Sequence, residues 1–291
     1  MFEQMVRMRL QDTYSVQFRP IGGLQQREQV GLAIANAIEQ NPMDISAYSD
    51  FVDFINDMKS DRKFEEKSDL RDFWIGDNKK RHGLTTFVKM NAQFNEIATG
   101  DPVWGNAYND ILKFEAYYLF ESFLFYMEQK RPYERRFYAP RRHALKVVVD
   151  DLQDLEDGKY IFYGLSMPVR TGKSTICIFF LAWVGFRKPR KHNAMCGHSG
   201  MLADGFYSEL CNLILTNEYT FEELYKDRHN GRLLQGKSAE KHTLNLLSPD
   251  RFATFTCRGI DGTWTGDVDV SGYLYVDDLV RDREQSLSPR R

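Results

Sequence analysis

This chain of 291 residues has only four cysteines, Cys177, Cys196, Cys211 and Cys257, and no Cys-x-x-Cys pair among them. That spacing excludes a zinc ribbon or finger, and the scatter through apolar stretches predicts buried, reduced thiols rather than a disulfide framework. Charge of one sign is also scarce. The formal net charge is −2, so no global basic field draws the chain to nucleic acid, and any such contact must come from a local patch. No apolar run reaches the ~18 residues that cross a bilayer. The richest, Phe114 to Met127, is interrupted by Glu115, Glu121 and Ser122. The N-terminus has no basic-then-apolar leader, which predicts a protein that stays in the cytoplasm. There is no internal repeat, no low-complexity segment, no nucleophile–His–acid set and no cluster with metal-ligand spacing.

What is present begins with a hydrophobic content of 42% and an aromatic content of 14%, enough to bury a full core and to rule out a disordered chain. Residues 1–135 read as helical. Leu24 to Glu39 places Val30, Ala33, Ile34, Ala37 and Ile38 on one face and should end at Asn41-Pro42. Ser46 to Met58 repeats the pattern, with Ser46 or Ser49 as its N-cap. Ser60 to Asp72 is a mixed-charge stretch, a solvated face or a linker. Gly100 to Asn106 reads as a loop, and Asp110 to Lys130 as one long helix with a core-forming aromatic stripe.

Residues 136–291 read as α/β. A helix at 142–155 leads to a strand at 160–165 and then to a helix from the Gly172-Lys173-Ser174 junction to about Gly185. A strand near 193–196 follows, then a helix at 202–215 and a hairpin of 243–247 with 251–257 through Ser248-Pro249-Asp250. The last strand, Tyr273 to Val276, ends in Asp277-Asp278. Alternating strands and helices predict a mostly parallel sheet with helices on its faces.

Strand, tight loop and helix around Gly172-Lys173-Ser174 form the context of a phosphate-binding P-loop. Its backbone N–H groups and the helix N-terminus attract phosphate oxygens. The loop Pro168, Val169, Arg170, Thr171, Gly172, Lys173, Ser174 and Thr175 is the candidate nucleotide cradle. Lys173 suits the β- and γ-phosphates, and the Ser174 hydroxyl suits Mg²⁺. The full pattern has a glycine where this chain has Met167. Asp277 is a second Mg²⁺ ligand, and Asp278 a group to orient or deprotonate water. Arg170 is either a surface charge or a guanidinium over the γ-phosphate. Lys130 to Lys146 is basic and interleaved with Tyr133, Phe137 and Tyr138; it suits a base and its phosphates, nucleic acid, or a solvated junction. His198-Ser199 reads as a hydrogen-bonded loop pair or a nucleotide-proximal loop. Arg251 and Arg258 are structural ion-pairing residues or trans-acting arginines. Trp264 is a loop anchor or a DNA contact.

These motifs together resemble one family, the large terminase subunits of tailed bacteriophages. Ser166 to Thr175 is similar to the terminase P-loop, in which Pro and Arg replace the leading glycine. His198 to Phe206 resembles the segment after the second core strand, Gly259 to Gly266 the approach to the acidic motif, and Val276 to Asp282 the acidic motif itself. In that motif Leu279 stands where proline is common. Phe137 to His143 looks like the segment near the adenine, from which Arg142 is carried over as nucleotide-binding.

The resemblance covers about residues 135–285. It implies a P-loop NTPase fold behind a helical N-terminal region, with a division at 135/136, and ATP and Mg²⁺ as cofactors. It implies hydrolysis by Lys173, Arg170 and Asp278, coupled to translocation of double-stranded DNA into a procapsid. Its implied partners are the portal, the small terminase subunit and further copies in a ring. No residues here supply the family's C-terminal nuclease, so no nuclease activity is expected. The sheet is expected to be incomplete at its C-terminal end, either because the sequence is a piece of a longer chain or because a second polypeptide completes the fold. Another nucleic-acid-dependent translocase is the alternative, although it would show an Asp-Glu-x-His segment. A nucleotide-binding assembly fragment without turnover is the other.

Overall fold

The computed structural model describes residues 26–59, 74–77, 81–229, 236–247, 251–264, 266 and 268–278. The chain divides into two compact units, 1–126 and 127–291. The division falls inside a short helix, ahead of the 135/136 position expected from the sequence.

The first unit is built from α1 (Gln26–Gln40), α2 (Ile45–Lys59), a minimal antiparallel pair β1 (Gly76–Asp77) and β2 (Arg81–His82), α3 (Leu84–Thr99) and α4 (Pro102–Glu115). Its core joins Val30, Ile34 and Ile38 of α1 to Phe51, Phe54 and Ile55 of α2, with Trp74, Val88, Trp104 and Ile111. The α1 helix stops one residue before Asn41-Pro42, as the proline dictates. The cap of α2 is Asp44, whose carboxylate accepts the Ser46 N–H at 3.0 Å, and not Ser46 or Ser49. Ser60 to Asp72 lies outside the described residues.

The expected loop at 100–106 is shorter than predicted. Gly100, at φ 69°, closes α3, and Asp101 caps α4 by accepting the Val103 N–H at 3.0 Å. Gly105-Asn106 therefore lies within a helix, where Glu96 occupies the space a Cβ at Gly105 would need. The expected single helix over 110–130 is two, α4 and α5 (Phe120–Met127). The break follows Glu115, whose side chain is fully buried and bonds Lys89, Thr86 and Ser122. Its carbonyl accepts from both Tyr118 and Leu119 at 2.8 Å. A buried carboxylate must keep its partners. The turn after it keeps Ser122 on Glu115 while Tyr118, Phe120, Phe123 and Leu124 are buried.

The second unit is α/β. After two single-turn 3₁₀ segments come α6 (Arg142–Glu156), α7 (Lys173–Arg187), β3 (Asn193–Gly197), α8 (Gly200–Leu215), α9 (Phe221–His229), β4 (Gly236–Ser238), β5 (Thr243–Asn245), β6 (Phe255–Gly259) and β7 (Leu274–Val276). The sheet order is β4-β5-β6-β3-β7. The expected hairpin is present, with Leu244 opposite Phe255, while residues 248–250 of its turn lie outside the described set. The sheet is mixed rather than mostly parallel. Strand β3 runs parallel to β6 and β7, but β4–β5 and β5–β6 are antiparallel.

All five residues of β3 are buried, as a strand covered on both faces requires. Helix α7 is buried from Ile176 to Phe186, and Gly185 lies so close to Phe255 that a side chain there would clash with the ring.

The predicted strand at 160–165 is not one. Over residues 162–168 burial alternates, with 163, 165 and 167 half-buried and 162, 164, 166 and 168 exposed, which is the pattern of a strand. Among the described residues, however, the sheet order ends at β7 and Gly164–Pro168 make no backbone–backbone hydrogen bond. A strand needs a ladder to satisfy its N–H and C=O groups, and no described strand flanks this segment. No helix among the described residues is long and apolar enough to cross a membrane.

Candidate functional site

Two elements far apart in sequence converge at the carboxyl end of the parallel strands. The first is the head of α7. Pro168 to Arg170 turn the chain, and the Thr171 hydroxyl ties it by donating to the Pro168 carbonyl at 2.7 Å. Arg170 sits at φ 63° and Gly172 at φ 96°, both left-handed. A side chain at Gly172 would be strained by that φ and would drive its Cβ to 2.5 Å from the Phe137 ring, so glycine is required there on two counts. The helix begins at once, with Ile176 N–H on the Gly172 carbonyl at 2.9 Å. The free N–H groups of its first turn then face the loop.

The second element is the end of β7. The Asp277 N–H donates to the Cys196 carbonyl at 2.9 Å, which fixes the backbone to β3. Its carboxylate is 4% exposed and receives two side chains from α7. Lys173 Nζ lies 2.7 Å from Oδ1, and Ser174 Oγ donates to Oδ2 at 2.6 Å. Asp278, at φ 43°, is mostly exposed and 3.7 Å from Lys173 Nζ, with its carbonyl 2.9 Å from His198 Nδ1. Thus Lys173, Ser174, Asp277 and Asp278 are brought together.

Val169 and Arg170 are exposed at the lip of the loop, and Arg170 has no ion-pair partner among the described residues. Thr175, the half-buried third residue of α7, opens onto an adjoining cleft. Arg142 starts α6 and is exposed; Arg141, not Arg142, reaches the cleft.

Burial of the Asp277 carboxyl opposes its ionisation. The bonds from Lys173 and Ser174, the Tyr275 hydroxyl and the Lys173 charge outweigh burial and hold it below the usual carboxylate range. Its hydrogen bond with Asp277 holds Lys173 above the usual lysine value despite desolvation. A carboxyl depressed in the fold stabilises it above the unfolded value and loses that contribution as pH falls through the folded one. A lysine raised in the fold stabilises it below the unfolded value and loses that contribution as pH rises through the folded one.

In the nucleotide-free protein, the stability difference between wild type and Asp277→Asn is therefore expected to be flat through neutrality. It should shrink below the ordinary aspartate value of 3.8 and above the ordinary lysine value of 10.5. Denaturation midpoints across pH check this; a difference that grows in acid would mean the pair is not formed.

The cleft beside the loop has a volume of about 300 Å³ and is lined by Arg131, Arg135, Arg136, Phe137, Arg141, Thr175, Phe179, Glu209, Asn212 and Tyr219, among others. Phe137 stacks on Phe179 at 5.7 Å and 11° between planes. Arg141 lies over Phe137, and Arg131 over Tyr219. Of the basic and aromatic residues of the 130–146 segment, Arg131, Arg135, Arg136, Phe137 and Arg141 are therefore gathered beside the loop, within its own structural unit.

Several contributors were not singled out from the sequence. Tyr275 sits two residues before Asp277 on the same strand face, and its buried hydroxyl lies beside Asp277 and Ser174. Period-two alternation was the available signal. Glu209 and Asn212 come to the cleft from α8, and Glu128 organises it from below; a carboxylate or amide on a helix carries no local mark of such a role. Trp264 is a loop anchor, its indole N–H donating to the Gly259 carbonyl at 3.1 Å. Arg251 lies over the Phe252 ring. Ser199 caps α8 through the Leu202 N–H.

The donor set fits Mg²⁺ with a nucleotide. Two hard oxygens, Ser174 Oγ and an Asp277 carboxylate oxygen, stand together, and Mg²⁺ takes few protein ligands because it keeps waters and substrate phosphates. Among the described residues no group of three or more His, Cys, Asp or Glu side chains could hold a metal by itself. Compared with protein-family models, curated proteins and solved structures, the chain matches none.

Proposed function

We propose that the second unit is a P-loop ATPase core, and that the chain is the ATP-hydrolysing part of a phage DNA-packaging motor. The observation that carries this reading is the convergence of Lys173 and Ser174, at the head of α7, on Asp277 at the end of β7, 103 residues from Ser174. Cation, hydroxyl and carboxylate are the three groups a phosphoryl-transfer site needs at one point.

In this reading the N-terminus of α7 receives the β- and γ-phosphates, and Lys173 turns from Asp277 to them. Ser174 Oγ and an Asp277 carboxylate oxygen would hold Mg²⁺. The ion, when bound, neutralises phosphate charge. Asp278, exposed and at the rim, accepts a proton from the attacking water. Arg170, at the lip of the loop and without an ion-pair partner among the described residues, leans over the γ-phosphate. The base enters the Phe137 cleft, where an aromatic face and arginines are already gathered. Double-stranded DNA, the portal of a procapsid, a small terminase subunit, neighbouring copies in a ring and a nuclease-bearing second polypeptide are the partners the terminase resemblance adds.

The test is ATP binding and Mg²⁺-dependent turnover by the chain and by Lys173→Ala. Loss of a charged hydrogen bond to phosphate should weaken ATP roughly 10–100-fold, and turnover should fall with it. Equal affinity in both proteins would sink the P-loop assignment. Binding without turnover in the wild type would leave a nucleotide-binding fragment.

A further inference from the structure

We propose that His198 is a positioning residue for the acid at 278. Its imidazole holds the Asp278 backbone in a left-handed turn, and through that turn it sets the reach of the Asp278 carboxylate. The inference rests on the ATPase reading above and adds a residue to that site.

The parallel register explains why these two residues meet. Strand β3 pairs with β7 as Ala194 with Leu274, Met195 with Tyr275 and Cys196 with Val276. Continued by two residues, that register sets His198 level with Asp278. The last backbone rung is the Asp277 N–H on the Cys196 carbonyl. One residue later the ladder has ended, and His198 Nδ1 stands 2.9 Å from the Asp278 carbonyl oxygen. A carbonyl only accepts, so Nδ1 carries the hydrogen.

At φ 43° Asp278 occupies the left-handed region, which is strained for an L-residue. Such strain persists only where the surroundings over-determine it. Burial does not do so here, because 69% of the Asp278 side chain is exposed. Among the described residues, what holds it is the rung before Asp278, the His198 bond at its carbonyl and the Lys173 charge 3.7 Å from Oδ1.

His198 is itself well anchored. Ser199, next in sequence, caps α8 through the Leu202 N–H. The end of β6 packs so tightly on this turn that a Cβ at Gly259 would meet Ser199 and Gly200 backbone atoms at 2.8 Å. The imidazole is thus a fixed strut from the β3–α8 turn to the acid. Without it, Asp278 is free to relax to negative φ. The Cα–Cβ bond then swings, and the carboxylate leaves the side of the site where Lys173 will hold phosphate.

The experiment is a double-mutant cycle in ATP turnover with His198→Ala, Asp278→Asn and both, beside His198→Asn, whose amide can still donate. His198→Ala should lower kcat roughly 10–100-fold, the size of a misplacement of about 1 Å, with KM for ATP within about twofold. It should have no further effect in the Asp278→Asn background, and His198→Asn should recover most of the loss. A second readout does not need turnover: the Asp278 Cα chemical shift should move in His198→Ala and stay in His198→Asn. An unmoved shift, or equal slowing by His198→Ala with and without Asp278, overturns the inference. If the wild type binds no ATP, the ATPase reading fails and the catalytic role falls with it, whereas the Cα shift still reports whether His198 holds the turn.

Discussion

An Asp277→Asn variant is expected to hydrolyse MgATP roughly 10²–10³-fold more slowly than the wild type, the loss that follows removal of one preorganised electrostatic group from a transition state. The geometry makes this the most sensitive position in the site. Asp277 is the point at which both α7 side chains meet, and its backbone is locked to β3 by the N–H bond to Cys196. Asparagine is nearly isosteric, so the Ser174 hydroxyl keeps an acceptor and the fold should persist. What disappears is the charge and, on the proposed reading, the carboxylate that would hold Mg²⁺.

A second consequence separates the metal role from a structural one. In the nucleotide-free protein Lys173 is neutralised by Asp277 at 2.7 Å, and that ion pair must be exchanged for phosphate. In Asp277→Asn the lysine keeps only the looser Asp278 carboxylate, 3.7 Å away and mostly exposed, as a competitor. Affinity for ATP without Mg²⁺ should therefore hold or rise slightly, while the gain in affinity on adding Mg²⁺ is lost. Titrations of ATP with and without the ion measure both. Wild-type turnover in the variant, or an undiminished Mg²⁺ effect, would take Asp277 out of the metal site.

Local signals made much of this legible in the sequence. The α7 loop and β7 acids were found because each motif is contiguous, and α1, α8 and the β5–β6 hairpin because periodicity and turn residues mark them. The misses share a physical cause: they depend on partners distant in sequence. Tyr160–Leu165 has strand composition and even strand alternation, but strand status is conferred by a neighbouring ladder, and no described strand flanks it. The break after Glu115 follows from a carboxylate buried against Lys89, 26 residues away, which a helical stripe cannot announce. His198 was weighed as a loop residue, yet its bond reaches across 80 residues to Asp278. The parallel core of the sheet was readable from alternating elements. The antiparallel β4–β5 edge was not, because three-residue strands are too short to carry a pattern.

Glu128→Ala should cost about 3–5 kcal/mol of stability, the usual result of stripping one partner from a buried charged network. The carboxylate is 1% exposed and frames the whole cleft loop. Its oxygens accept the Phe137 N–H at 2.6 Å and the Tyr138 N–H at 2.9 Å, and Arg131 lies 3.7 Å away. Arg136 closes the same loop onto the Arg131 and Gln129 carbonyls at 2.9 and 3.1 Å. Removing Glu128 orphans two backbone donors in a buried place and releases Phe137 from its stack on Phe179.

Burial holds the Glu128 carboxyl above its ordinary value, against the lowering effects of the Phe137 and Tyr138 N–H groups and the Arg131 and Arg136 charges. A carboxyl raised in the fold contributes most below its unfolded value and loses that contribution as pH rises through the folded one. The cost of Glu128→Ala is thus expected to be larger at about pH 4 than at about pH 8. Glutamine, able to accept one N–H but not both, should cost about 1–3 kcal/mol. Urea denaturation gives these numbers, and binding gives the functional half. On the proposed reading the loop lines the cleft for the base and touches the α7 cradle only through the Phe137 ring against Gly172, so Glu128→Ala should weaken ATP more than inorganic tripolyphosphate. Equal weakening of the two would mean that the cleft receives no base, and a stability loss under about 1 kcal/mol would mean that Glu128 does not hold the loop.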